Sequence, residues 1–239
     1  GWFELNPVHF GHNFKSIQFI NNTIGFSLSD AGLFLKTIDG GQTWSQRELN
    51  TGYILNDLFM VNTMNGYITG DNGNILKTDD GGLNWYSLSS NTIKKLNAVS
   101  FINSDTGFVF GNESTVLRTL DGGNSWSALN IGFSSLTVID GCIPSLSRLY
   151  AICKEGIIMR STNLGLNWDY YVVGKDLYSL FFLDADTGYV GGWDDDVGMM
   201  LKTIDGGNSW EYRLPQMLTP VNSIYFPSPK IGYVSGFEP

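Results

Sequence analysis

The side chains in this sequence best placed for binding chemistry are Trp193, Asp194, Asp195 and Asp196, in the string GGWDDDVG. An aromatic ring beside three carboxylates can stack on a sugar ring, attract a basic peptide or hold a cation. Four more carboxylates, Asp30, Asp71, Glu113 and Glu155, stand in turns rich in Gly, Asn and Ser. Covalent chemistry has less to work with. His9 and His12 are the only histidines, and no cysteine lies near enough to complete a zinc set. Neither a G-x-S-x-G elbow nor a P-loop occurs, so no metal, cofactor or catalytic residue is expected.

What must position these residues is a repeat. LKTIDGGQTW at 35–44 returns as LKTDDGGLNW, LRTLDGGNSW, MRSTNLGLNW and LKTIDGGNSW, with the opening Thr or Ser at 37, 78, 119, 161 and 203. A period near 41 residues denotes a repeat architecture. Between boxes come two further strand signals, as in LNDLFMV and GYITG, separated by tight turns. Each unit is therefore four short strands, a to d, and four antiparallel strands per unit fit one blade of an all-β propeller. Trp2 lies 12 residues before Phe14, close to the 11 that separate Trp44, Trp85 and Trp210 from the next strand a. It reads as a box Trp on an N-terminal strand d that closes the ring against VNSIYF and IGYVSG, strands a and b of a sixth unit. Residues 1–239 are thus expected to form a single propeller domain of six blades, or seven if the native chain is longer.

The box has a structural logic. Its Asp accepts hydrogen bonds from backbone N–H groups of its own turn, the Gly pair supplies positive φ, the opening hydroxyl ties the loop, and the Trp covers it. The residues in these roles are Asp39 and Trp44, Asp80 and Trp85, Asp121 and Trp126, Asn163 and Trp168, and Asp205 and Trp210. In the fourth box Asn163 and Leu164 replace Asp and Gly, Cys153 replaces the Gly ending strand b, and Gly141 takes the place of a bulky strand-a residue such as Met60 or Phe182. That blade is expected to hold the least regular hairpins. The pattern T-x-D-G-G-x-S/T/N-W resembles the Asp-box, or BNR repeat, of sialidases, sortilin-type receptors, some xyloglucanases and the photosystem II stability/assembly factor-like propellers. The last group is the most similar, because the boxes and the spacing between them cover essentially the whole chain. The resemblance implies a role in assembling or stabilising a larger complex.

A blade puts its b–c and d–a loops at one end and its a–b and c–d turns at the other, so the boxes lie away from the loop end. Six of the seven tryptophans are box residues; Trp193 is the one the fold does not require. The candidate binding set is therefore Trp193, Asp194, Asp195, Asp196, Asp30 and Asp71, with GGWDDDVG read as a b–c loop three residues longer than its counterparts. A sialidase would need an arginine triad, but Arg118 and Arg160 occupy the repeat position of Lys36, Lys77 and Lys202, and Arg47 and Arg213 each follow a box Trp by three. Only Arg148 lies outside the pattern. A xyloglucanase-like hydrolase would need paired carboxylates across a cleft, for which Asp71 with one of Asp194 to Asp196 is the available choice.

Composition narrows the partners. A net charge of −9 with no basic cluster beyond Lys94-Lys95 argues against nucleic acid. No apolar run reaches the roughly 18 residues of a membrane span. A start at Gly1 without Met, with an acidic, Asn-rich surface, sets the expectation of an extracytoplasmic chain, secreted, periplasmic or on the cell surface. Cys142 and Cys153 fall in one hairpin, out of register for a disulfide, and are expected as free, mostly buried thiols. The resulting expectation is a non-catalytic scaffold that binds a protein or peptide through its loop face. The alternative is a carbohydrate-binding or glycoside hydrolase-like propeller.

Overall fold

A computed structural model describes residues 13–213 and 218–236. Trp2, His9, His12 and the N-terminal strand expected to carry the first of them lie outside the described residues. The first sheet holds β1 (Phe14–Phe19), β2 (Gly25–Ser29), β3 (Leu33–Thr37) and β4 (Ser45–Glu48), and the second β5 (Leu55–Met60), β6 (Gly66–Gly70), β7 (Ile75–Thr78) and β8 (Tyr86–Leu88). The third holds β9 (Leu96–Phe101), β10 (Gly107–Gly111), β11 (Val116–Thr119) and β12 (Ser127–Ala128). The fourth holds β13 (Val138–Ser145), β14 (Arg148–Cys153), β15 (Ile157–Ser161) and β16 (Asp169–Val172), and the fifth β17 (Asp176–Phe182), β18 (Gly188–Asp194), β19 (Val197–Thr203) and β20 (Glu211–Tyr212). Each has its strands in chain order, and the sheet of β21 (Ser223–Ser228) and β22 (Ile231–Ser235) has two strands among the described residues. The chain divides into two compact units, residues 1–107 with 119–126 and residues 108–118 with 127–239.

Burial follows strand position. The second strands GFSLS, GYITG and GFVFG are buried at every residue, each flanked by strands on both edges. The fourth strands are short and mostly exposed, and SQRE of β4 is wholly polar, which is how an edge avoids pairing with other chains. In the first unit the core between sheets one and two is Phe26, Leu28, Phe34, Leu55, Leu58, Met60, Ile68 and Leu76. In the second unit Tyr150, Ile158, Leu180, Val190 and Trp210 belong to the equivalent cluster. Aromatic rings stack from one sheet to the next, Tyr67 on Phe101 at 3.9 Å and Tyr150 on Phe182 at 3.8 Å.

The boxes form the third-to-fourth strand turns with the chemistry expected of them. Asp39 Oδ1 accepts from the Thr43 N–H at 2.9 Å, Thr37 Oγ1 accepts from the Gly41 N–H at 2.9 Å, and Gly40 and Gly41 have φ of 77° and 90°. Trp44 packs edge-on against Phe19 of its own sheet, whereas Trp85 reaches Phe34 of the preceding one. The fourth box keeps the backbone closure of the rest. Asn163 Oδ1 takes the Asn167 N–H at 2.9 Å and Ser161 Oγ takes the Gly165 N–H at 2.9 Å. Its irregularity lies instead in the β13–β14 hairpin, which adds a shift between Cys142 and Ser145 to the one near the strand start that β1, β5 and β17 share. Counted from the strand start, the extra residues lie toward the turn and Gly141 pairs with Ala151 as Leu58 pairs with Ile68, so Ile143 rather than Gly141 takes the place of Met60. Gly141 is required there, since a Cβ would sit 2.3 Å from the Phe110 ring. Both thiols are free, with Cys153 opposite Val138 and Cys142 opposite Tyr150.

Leu164 has a φ of 56°, in the left-handed region where the other boxes have glycine. An L-residue there costs about 1–2 kcal/mol, offset in part by the larger unfolded-state entropy of glycine. Leu164→Gly is therefore expected to raise stability by about 1 kcal/mol. Urea unfolding of the single variant checks it; a lower midpoint at unchanged slope would refute it.

Candidate functional site

GGWDDDVG is a longer hairpin rather than a longer loop. β18 runs through Trp193 to Asp194, β19 starts at Val197, and the ladder continues through Trp193 opposite Gly198 to Asp194 opposite Val197. The turn is closed by the Asp196 N–H donating to the Asp194 carbonyl at 2.6 Å, with Asp195 at φ 55°. Gly191 and Gly192 are needed for close approach, because Cβ atoms would fall 2.5 Å from Val221 Cγ1 and 2.1 Å from the Asp176 carbonyl oxygen. Trp193 is thereby fixed opposite Asp176, half-buried, on a rigid strand.

Two of the three carboxylates that follow it are already paired. Lys175 Nζ lies 2.7 Å from Asp194 Oδ1 and 2.6 Å from Asp195 Oδ2, and these hydrogen bonds raise the lysine pKa above its ordinary value. Glu155 accepts the Thr137 N–H through both oxygens at 3.1 Å. Trp193, Lys175, Lys154, Glu155, Asp176 and Asp195 line a cavity of about 240 Å³. A pocket built this way offers an indole face and a rim of two lysines against three carboxylates, which stays net acidic and suits an extended peptide with basic as well as apolar side chains.

Asp30 and Asp71 belong to the first unit, while Trp193 to Asp196 belong to the second. Each has its own partners. Asn13 Nδ2 donates to Asp30 at 3.1 Å and Lys15 lies 4.0 Å away; Asn56 Nδ2 donates to Asp71 at 3.0 Å and Lys95 lies 3.7 Å away. Within each unit, therefore, carboxylates of second-to-third strand turns pair with lysines at the start of first strands. Sequence reasoning missed Lys15, Lys95 and Lys175, although each stands within two residues of the start of a first strand, at the same end as the turn it pairs with. A larger cavity of about 720 Å³ lies in the first unit, lined by Tyr53, Asn72, Asn74, Ser87, Asn91 and Ile93 among others, with no acidic or basic side chain.

The recurring cations are staples between boxes. Lys36 Nζ donates to the Gly81 carbonyl at 2.9 Å and Lys77 to Gly122 at 2.7 Å; Arg118 donates to Leu164 at 3.0 Å and Arg160 to Gly206 at 3.0 Å. Two of the five arginines are held in this way, and Arg213 pairs with Glu211 at 2.5 Å. Among the described residues no group of His, Cys, Asp and Glu is placed to hold a metal ion, and no helix is long and apolar enough to cross a membrane.

The family model for the photosynthesis system II assembly factor YCF48, a BNR family, matches residues 2–93 and 48–176. Asp30 and Asp71 fall within the matched residues and Trp193 beyond them. No curated protein matches the chain. Among solved structures, YCF48 bound to a D1 peptide is 19% identical, with a TM-score of 0.54 over 94% of this chain and 90% of that one. YCF48 from Cyanidioschyzon merolae is 17% identical, with a TM-score of 0.55 over 96% and 94%. A GH74 enzyme from Niastella koreensis is 14% identical, with a TM-score of 0.71 over 88% of this chain, which spans 42% of that enzyme. At these identities the likeness to solved structures carries the fold alone.

Proposed function

The chain belongs to the YCF48 family of photosynthesis system II assembly factors, and on that premise we propose that it is a non-catalytic, extracytoplasmic protein-binding scaffold. It takes an extended segment of its partner at the end of the sheets where second strands turn into third. In the same proposal the five sheets and β21–β22 make one six-bladed propeller domain closed by the strand carrying Trp2. The observation that carries the functional reading is the family match, together with a solved member that holds a peptide. The Trp193 cavity supports it, since an indole on a paired strand beside a net acidic rim favours a segment with apolar and basic side chains.

Crosslinking the chain in its native cells, followed by mass spectrometry, identifies the partner, and fractionation tests the compartment. Trp193→Ala is then expected to weaken capture of that partner about tenfold or more, the loss of one aromatic anchor. The melting temperature should change little. Capture unaffected by Trp193→Ala would remove the site while leaving the scaffold reading to the crosslinking result. The second reading, a glycoside hydrolase-like propeller, is favoured by the higher TM-score to the GH74 enzyme. Incubation with xyloglucan is expected to give no reducing ends; turnover abolished by one carboxylate substitution would replace the scaffold reading with this one.

A further inference from the structure

At the opposite end of the sheets, every box tip carries one strongly exposed aliphatic side chain. They are Ile38, Leu83, Leu120, Leu166 and Ile204, each between 55 and 70% exposed. The position alternates. Where the second box residue is aliphatic (Ile38, Leu120, Ile204), the sixth is Gln42, Asn124 or Asn208; where the second is Asp79 or Thr162, the sixth is Leu83 or Leu166. The exchange has a structural penalty. Gln42, Asn124 and Asn208 donate their side-chain amides to the carbonyl of the box Asp, at 3.1, 2.7 and 2.5 Å, and a leucine at that position cannot. The second and fourth boxes forgo a hydrogen bond and still present an aliphatic group to water. Folding gains little from this arrangement, since both leucines leave more than half of their surface in water.

In the first unit three of these tips stand on neighbouring, mutually tied hairpins. Lys36 ties the first box to the second and Lys77 ties the second to the third, so Ile38, Leu83 and Leu120 stand on adjacent hairpins. Backbone bonds hold each box against the first turn of its own sheet, Gly81 N–H to Met64 and Gly122 N–H to Asp105, which adds the exposed Met64 to the same surface. Five carboxylates surround these groups, those of Asp39, Asp79, Asp80, Asp105 and Asp121, against the two lysines bound to carbonyls. We propose that this face of the first unit is a docking surface for a basic amphipathic segment of a partner protein. Aliphatic groups of that segment would seat among Ile38, Leu83 and Leu120, with its lysines or arginines against the surrounding carboxylates. A second copy of the chain would set five carboxylates against five, and an anionic bilayer would meet the same repulsion.

The test uses the full chain and a labelled peptide of leucine and lysine, about 18 residues long, patterned with one apolar helical face. Fluorescence anisotropy at low salt should show binding, and Ile38→Ser/Leu83→Asn/Leu120→Ser should weaken it about tenfold or more. Leu83→Asn places at that tip the residue the third and fifth boxes already use, so the melting temperature is expected to hold and the variant to stay folded. Asp79→Asn/Asp105→Asn should flatten the salt dependence. Wild-type affinity in the triple variant, equal binding of a scrambled peptide of the same composition, or preference for anionic vesicles would each overturn the proposal. Trp193→Ala should leave this binding unchanged, which separates failure here from failure of the loop-end site.

Discussion

Asp57→Ala is expected to destabilise the chain by about 3 kcal/mol at neutral pH, from two backbone donors left without a partner at about 1–3 kcal/mol each. Asp57 follows the register shift in β5, and its two oxygens do separate tasks. Oδ1 accepts the Leu58 N–H at 2.8 Å within its own strand, and Oδ2 accepts the Val99 N–H at 3.0 Å on β9 of the next sheet. The carboxylate therefore joins the first strands of two sheets. Asp140 repeats the device in the second unit, taking the Gly141 N–H at 2.8 Å and the Leu180 N–H at 3.0 Å. Asparagine should fail at position 57 too, because one of its terminal atoms is a donor facing an N–H.

The same group gives a pH signature. Burial pushes the Asp57 carboxyl up to about 6, against hydrogen bonds from Val99, Leu58 and Ser16 that pull it down. The residue keeps some solvent contact, but its carboxyl group is crowded by protein. With the folded pKa above the unfolded value of 3.8, the unfolded chain holds fewer protons between those values. Stability attributable to Asp57 therefore rises as the pH falls through 6 towards 4. Urea unfolding between pH 7 and 4 should show this rise in the wild type and none in Asp57→Asn. A rise of equal size in the variant would assign it to other groups.

The repeat made the strands legible because each is bounded by turn residues with a physical reason to be there. T-x-D-G-G-x-x-W marks a turn by its hydroxyl, carboxylate and glycines, and the buried GYITG-type strands stand directly after Asn/Asp/Ser clusters. The fourth sheet was harder to read. Its register depends on shifts between Val138 and Asp140 and between Cys142 and Ser145, and nothing local distinguishes a bulge residue from a paired one. GGWDDDVG looked like a loop because Gly and Asp dominate it, yet the glycines serve close approach to Asp176 and Val221 while the strand continues past them. The lysines that neutralise Asp30, Asp71 and Asp194 were invisible for a related reason. A pairing of Lys175 with Asp194 spans a whole hairpin, and counting charges along the chain cannot reveal it.

Acidification from about pH 4 towards 2 is expected to remove much of the remaining stability, through the boxes. Side-chain and backbone hydrogen bonds from Thr43, with a further one from Thr37, hold the Asp39 carboxyl down to about 2. Equivalent bonds from Ser125 and Ser209 hold Asp121 and Asp205 at about 2, and Asn84 lowers Asp80. A depressed folded pKa means stability that is fully present above the unfolded value near 4 and lost as the pH falls through the folded one. The chain contains its own control. Asn163 carries no charge and still accepts from the Asn167 N–H and the Ser161 hydroxyl, so the box geometry survives without a carboxylate. The variant Asp39→Asn/Asp80→Asn/Asp121→Asn/Asp205→Asn should therefore fold, lose some stability at pH 7, and show a much flatter acid limb. Denaturation midpoints at pH 7, 4 and 2 measure both limbs. If the variant falls as steeply as the wild type below pH 4, the acid sensitivity lies in other carboxylates, and Asp184, whose pKa is lowered by the Thr187 and Asp186 N–H groups, is the next to substitute.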